Sequence, residues 1–303
     1  MRKTHQRRVI IGFLAAPVLL YTVFVASPYV QAFYIALTDW RGLSAEIGLI
    51  GLGNFTELFG DPVFWQALRN NLLLLVTLPI VTIGVGLFLA FMLNAAGGPR
   101  SGEIRGVRGA KFYRVVYFFP YVLSIAIIGV LWKNIYNPIN GLLNGALRAV
   151  GLEEVQPSWL GDERLAFWAV LAVLVWNGIG FYVVLFTAGI KAIPASLLEA
   201  AVLDGASRAQ VFFRITIPLI WENIRTAAVY LGIAALDAFA VVQIMTGGGP
   251  NDSTQVGSFY LYQNAFSYGR FGYASAMGVV LFVVTLALSA FTLRATRKER
   301  IEF

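Results

Sequence analysis

Long stretches of this chain carry no charge. Between Val9 and Thr38, Asn70 and Pro99, Val115 and Trp132, Leu165 and Ile190, and Phe271 and Leu293 there is no Asp, Glu, Lys or Arg. A sixth stretch, Thr226–Asn251, is interrupted only by Asp237. A helix crosses the roughly 30 Å hydrocarbon core of a bilayer with about 20 mostly apolar residues, and every run reaches or approaches that length. The pattern predicts an all-α polytopic membrane protein with six transmembrane helices, centred near residues 22, 84, 124, 178, 236 and 282. Composition agrees. Charged residues are 13% of the 303 and hydrophobic residues 58%, whereas soluble domains average about 25% charged. Such sparse charge cannot cover a water-soluble surface. That argues against a soluble enzyme, a disordered chain and a free nucleic-acid-binding protein.

The chain has no cysteine and one histidine, His5. Thiol nucleophiles, disulfide frameworks and Cys-ligated metals are excluded. A His-based metal site or a Ser-His pair inside the membrane has no residues to draw on. The first apolar run follows a basic start, Arg2-Lys3 and Arg7-Arg8, but exceeds the roughly 7–15 apolar residues of a signal peptide. It reads as an uncleaved anchor, interrupted at Pro17 and Pro28. Lys and Arg are sorted between loops. Of 23, 17 fall in the N-terminal tail, the 95–114 loop, the 191–225 loop and the C-terminal tail, and 6 in the opposite loops. The positive-inside rule then places both termini in the cytoplasm. The net charge of +7 is a topology signal, with anionic lipid headgroups as its partner and no nucleic acid implied.

The outer loops are more than turns. In 39–69, Asp61-Pro62 reads as a helix cap and first turn leading into the second span. In 136–164, Asn137-Pro138 and Asn140-Gly141 are turn signals. Two readings stay open for these loops, plain connectors or surfaces for an external partner.

The most informative segment is cytoplasmic, residues 190–222. Pro194 suits a helix's first turn, and Ala195–Leu203 is rich in Ala, Leu and Glu, all strong helix formers. Gly205 can adopt the left-handed conformation that ends a helix, and Asp204 can cap the next one. A second short helix is expected from about Ser207 to Ile215, with Pro218 ending the pattern. The product is a helix–turn–helix elbow at the membrane surface. The alternative reading is an interfacial elbow with no partner, and for Glu199 a solvated helix-face carboxylate.

Glu199-Ala200-Ala201, Asp204-Gly205-Ala206, Phe212 and Ile217-Pro218 resemble the EAA loop of binding-protein-dependent ABC importer permeases. In that family the loop forms coupling helices that sit in a cleft of the ATP-hydrolysing subunit. Met245-Thr246-Gly247-Gly248-Gly249-Pro250, followed by Tyr262, Asn264-Ala265-Phe266 and Gly272-Tyr273-Ala274-Ser275-Ala276, resembles the sugar branch, in particular its maltose-type first permease subunit. Phe119-Pro120-Tyr121, Trp132-Lys133, Asn137-Pro138 and Gly141-Leu142-Leu143-Asn144 fit the same branch. The resemblance covers roughly residues 10–295. One departure is Ala240, where the family commonly has Asp.

The resemblance implies residues 1–69 as tail, first helix and outer loop. Residues 70–295 form a core permease domain with its coupling loop at 191–222, and 296–303 a cytoplasmic tail. It implies a heterodimer with a second permease subunit, two ATP-binding subunits, an external sugar-binding protein, and a prokaryotic cytoplasmic membrane. The sequence contains no Gly-x-x-x-x-Gly-Lys-[Ser/Thr] phosphate loop. No cofactor is therefore expected on this chain, and the partner ATPase is expected to use ATP and Mg. Candidate substrate-pathway residues are the polar and aromatic side chains within spans: Trp176, Asn177, Tyr182, Tyr230, Asp237 and Gln243. Intramembrane ionisable groups are costly, and Trp and Tyr can stack on sugar rings. Each has a structural alternative: helix packing for Asn177 beside Gly178 and Gly180, a structural hydrogen bond for Asp237, and interfacial belts for the aromatics. A competing class is an ion-coupled secondary transporter with Asp237 as proton relay. Such folds carry inverted repeats and broken spans, and the sequence shows neither. An intramembrane enzyme has no catalytic set to use.

Overall fold

The computed structural model describes residues 2–44, 46–95, 109–152 and 154–295. Within these residues the chain is helical, with one isolated antiparallel bridge between Thr38 and Leu49. The basic stretch 96–108 and the tail 296–303 lie outside the described residues.

The N-terminal anchor is α1 (Arg2–Tyr21), a π turn (Thr22–Ala26) and α2 (Ser27–Ile35). The helix is not interrupted at Pro17, and it accommodates Pro28. The widened turn lets the Ser27 N–H reach the Thr22 carbonyl, five residues back. Pro28, with no N–H to place, follows directly. Short α3 (Gly53–Gly60) precedes α4 (Pro62–Ala95). Then come α5 (Ala110–Val122), α6 (Ile125–Ile135), α7 (Leu142–Ala149) and α8 (Ala166–Ala192). The elbow is α9 (Ala195–Leu203), α10 (Arg208–Gln210), a π turn (Val211–Thr216) and α11 (Ile217–Leu219). Last are α12 (Trp221–Leu236), α13 (Phe239–Met245), α14 (Gly257–Tyr262), a π turn (Gln263–Ser267) and α15 (Phe271–Ala295).

Among the described residues, four helices are long and apolar enough to cross a membrane: Gly12–Ile35, Pro62–Asn94, Ala166–Ala192 and Phe271–Leu288. Two expected spans are broken. α5 and α6 meet at 100°, and α12 and α13 at 47°. Six spans result only if each pair counts as one. The expectation of unbroken spans is thus corrected. Hydropathy registers apolarity, not direction, and Leu123 and Ser124 turn extended inside an uncharged run.

The chain divides into two compact units. One joins the N-terminal segment through Trp65 with Tyr260–Leu288, a grouping that cuts across the sequence division at 69/70. Its core is Leu58, Phe64, Tyr273 and Met277. Asp61 caps α4 as expected: its Oδ1 accepts the Val63 N–H at 2.8 Å and the Phe64 N–H at 3.3 Å. Its Oδ2 accepts the hydroxyls of Tyr260 and Tyr273 at 2.6 and 2.5 Å. Burial pushes the Asp61 carboxyl up, but these four hydrogen bonds outweigh it and hold the group below its ordinary value. Asn54 is buried and ties α3 to the end of the anchor, donating to the carbonyls of Ala36 and Thr38 at 2.8 Å each. The anchor span exposes Phe13, Leu19, Phe24 and Val30, an apolar surface suited to lipid.

The second unit is built on Gln66–Phe259. α5 and α8 pack so closely that a Cβ on Gly180 would lie 1.9 Å from the Tyr117 carbonyl oxygen. Only glycine permits that approach, the small-residue logic of membrane helix pairs. At one end of α4, Asn70 donates to the carbonyls of Ser253 and Gln255 at 3.0 and 2.8 Å. Asn71 accepts the Gly257 N–H at 2.7 Å and donates to the Ala235 carbonyl at 3.3 Å. At the other end of α4 lies the elbow, where Phe212 packs on Phe91 with ring centroids 4.8 Å apart. The 191–225 segment thus sits at the same end of the bundle as the close of α4 and the start of α5. The 246–257 turn sits at the opposite end. This matches the expected grouping of loops within this unit.

Candidate coupling elbow and pathway surface

The elbow forms where the sequence places it, and its spacing has a physical cause. α9 ends in a Schellman motif: the Gly205 N–H bonds the Val202 carbonyl at 3.1 Å and the Ala206 N–H bonds the Ala201 carbonyl at 2.9 Å. This geometry needs a left-handed residue, and Gly205 has φ +78°. The interval from Ala201 to Ala206 is the span of the motif. One expectation is corrected. The cap of the second helix is Ser207, not Asp204. Ser207 and Gln210 form a reciprocal capping box at 3.3 and 2.7 Å, a Ser-x-x-Gln signal that was legible in the sequence. Pro218 does not end the helical path either. The π turn lets the Ile217 N–H reach the Phe212 carbonyl, Pro218 follows without a donor to place, and the path runs on to Leu219.

No residue of α9 is buried, although it reads Ala-Ser-Leu-Leu-Glu-Ala-Ala-Val-Leu. Leu203 is 87% exposed. Ala200, Asp204, Gly205 and Pro218 are exposed, and Glu199, Ala201, Ala206 and Phe212 half-buried. A Cβ on Gly205 would meet nothing within 4 Å. Beside it, Asp204, Gly205, Ala206, Gln210, Arg214 and Ile215 line a notch of about 220 Å³. The surface is apolar, small-featured and open, with a polar notch at its hinge.

The six pathway candidates differ in burial, although Tyr182 and Tyr230 lie within electrostatic range of each other. Trp176, Asn177 and Tyr182 sit on α8 in packed positions. Trp176 meets Trp132 edge-on at 5.3 Å and faces an apolar crevice of about 780 Å³ with Val81, Leu89, Val116 and Trp168. Asn177 donates to the Pro120 carbonyl at 2.9 Å. That holds the α5–α6 break and gives Asn177 the structural role. Tyr182 is buried against Phe181 and Phe186. Tyr230, Asp237 and Gln243 are instead exposed along α12 and α13. Asp237 is the C-cap of α12, at the 47° break. Among the described residues its carboxylate has no hydrogen bond or ion pair. Asn70 and Asn71 were not singled out from the sequence, because the backbone groups they bond lie more than 160 positions away.

The Gly247-Gly248-Gly249-Pro250 turn is closed by its flanking threonines. Gly247 and Gly248 have φ +61° and +86°, and a Cβ on Gly248 would lie 2.3 Å from Gln255 Oε1. The Thr246 and Thr254 hydroxyls bond at 2.7 Å, and Thr254 Oγ1 donates to the Gly249 carbonyl at 2.8 Å.

Residues 49–300 match the family described as binding-protein-dependent transport system inner membrane component. The chain is 46% identical over 289 residues to the diacetylchitobiose uptake system permease protein NgcF of Streptomyces coelicolor, covering 95% of this chain and 82% of that protein. It is 40% identical to the probable ABC transporter permease protein YurN of Bacillus subtilis, covering 94% and 95% of the two chains. The fold matches a subunit of a bacterial alginate ABC transporter, solved in complex with an alginate pentasaccharide-bound periplasmic protein. The TM-score is 0.81 at 22% identity, over 98% of this chain and 96% of that one. The chain belongs to the family of binding-protein-dependent transport system inner membrane components and is an ABC importer permease subunit of the sugar branch.

Proposed function

We propose that this chain forms half of a translocation pathway for a sugar or oligosaccharide, with a second permease subunit supplying the other half. Two ATP-hydrolysing subunits, using ATP and Mg, dock on the elbow, and an external sugar-binding protein delivers cargo. Both termini lie in the cytoplasm of a prokaryotic cell, and the core domain 70–295 carries the pathway. The observation that carries this reading is α9, an Ala- and Leu-rich helix with a built hinge and no buried residue, standing at one end of the bundle. The diacetylchitobiose relative supports the cargo class.

Nucleotide-driven closure of the ATPase pair moves the docked elbow. α4, α5 and α8 follow, and the pathway opens alternately to each side, a rigid-body two-state switch. The exposed face of α12 and α13, with Tyr230, Asp237 and Gln243, faces this pathway. An unpaired carboxylate against lipid is costly, while water and saccharide hydroxyls solvate it. The test is co-purification from membranes. The wild-type chain is expected to bring down an ATPase, and Gly205→Glu to lose it at least tenfold while inserting normally. The Gly205 site has room for a side chain within this chain, and forcing a left-handed non-glycine residue costs about 1–2 kcal/mol, so the loss would read on the partner. Undiminished capture by Gly205→Glu would contradict the elbow assignment.

A further inference from the structure

We propose that Asn94 is the joint that makes α4, α5 and α8 move as one body with the elbow. The inference rests on the coupling role given above to residues 194–218. Phe212 of the elbow presses on Phe91 of α4, and Phe91 is buried. One turn further along α4, Asn94 uses both ends of its amide. Its Nδ2 donates to the Ala90 carbonyl at 2.6 Å and to Thr187 Oγ1 of α8 at 3.1 Å. Its Oδ1 accepts from an Arg114 guanidinium nitrogen of α5 at 3.0 Å. Thr187 is buried. One side chain therefore ties three helices at the end where the elbow contacts them.

The chemistry sets this contact apart from the apolar packing around it. Leu and Phe surfaces slide past one another at little cost. A three-way hydrogen-bonded joint has one geometry, and its bonds are part-buried, so leaving a partner unmatched there has a cost. A push on Phe91 is thus shared by α5 and α8. α8 is locked to α5 by Gly180 under the Tyr117 carbonyl. Asn177 of α8 holds the Pro120 carbonyl at the α5–α6 break. The elbow is connected in this way to the break, and Asn94 is a positioning residue that touches neither nucleotide nor cargo.

The test uses the assembled transporter in proteoliposomes, with N,N′-diacetylchitobiose as probe. Wild type is compared with Asn94→Leu, Asn94→Asp and Thr187→Val. Asn94→Leu is expected to assemble and hydrolyse ATP within twofold of wild type, yet to move at least fivefold less cargo per ATP. Asn94→Asp keeps the acceptor for Arg114 and loses the donor to Thr187, so it and Thr187→Val should show smaller losses in the same direction. A second readout is independent of cargo. The chain has no native cysteine, so spin labels at Arg208→Cys and Val122→Cys report elbow-to-break distance. That distance should stay constant on ATP binding in the wild-type background and shift or broaden with Asn94→Leu. Wild-type cargo per ATP and an unchanged distance in Asn94→Leu would overturn the joint, as would ATPase and transport falling in proportion. Should Asn94→Leu fail to assemble, Asn94→Asp and Thr187→Val decide by the same criteria. A wild-type complex that captures no ATPase would instead refute the coupling reading.

Discussion

The elbow and the Gly247–Pro250 turn are both hinged on left-handed glycines, and both carry the family's sequence marks. Their surroundings are opposite. Around Gly248 the space is full, with Gln255, Thr254 and Val256 all buried and the threonine hydroxyls bonded within the turn. Around Gly205 the space is empty, and the helix before it buries nothing. A motif whose space is filled from within the chain is there to fold the chain. A motif that leaves an apolar face uncovered is there for something else to cover.

This contrast can be broken by substitution. Gly248→Val drives a branched side chain into Gln255 at a positive φ. It should destabilise by about 2–4 kcal/mol from overpacking and backbone strain together, read as reduced thermal stability of the purified complex. Gly205→Glu should cost only the strain of a left-handed non-glycine residue, about 1–2 kcal/mol, because no neighbour stands in the way of its side chain. Equal destabilisation at both glycines would end the distinction. Asp237→Asn sharpens the contrast from the pathway side. With no bond to lose among the described residues, it should spare stability and assembly and alter uptake, by roughly 2 kcal/mol or less in transition-state terms. Unchanged uptake kinetics would remove Asp237 from the pathway.

The other unit holds a further motif bonded within the chain, the Asp61 cap. The Asp61 carboxyl is held below its ordinary value of 3.8. A depressed folded-state pKa gives stability that is fully present above the unfolded value and lost as pH falls through the folded one. Stability of the α4 start should be flat above about pH 5 and fall below about pH 4. Asp61→Asn should flatten that acid limb and cost about 1–3 kcal/mol at neutral pH, measured by thermal unfolding against pH.

The same contrast explains what was legible in the sequence. α9 was readable to the residue, because Pro194, the Ala/Leu run and Gly205 are local signals with local causes. The Asp61 cap was readable for the same reason. The two broken spans were not, since the α5–α6 break is held by Asn177 from another helix and hydropathy carries no direction. Nor was the split among pathway candidates. Tyr182 and Tyr230 are chemically the same choice, and only tertiary packing buries one and exposes the other. Asn70 and Asn71 read as an ordinary polar start to a span until Ser253, Gln255 and Gly257 arrive from 180 positions downstream.

The central claim is that the motor of this permease is outside the chain and acts through the elbow. Uptake of the saccharide that its binding protein carries, by vesicles holding the assembled complex, tests it most directly, with ATP or a proton gradient supplied alone. The account predicts uptake with ATP, none with the gradient, and loss of the ATP-driven uptake in Gly205→Glu. Gradient-driven uptake without ATP, or full ATP-driven uptake in Gly205→Glu, would contradict it.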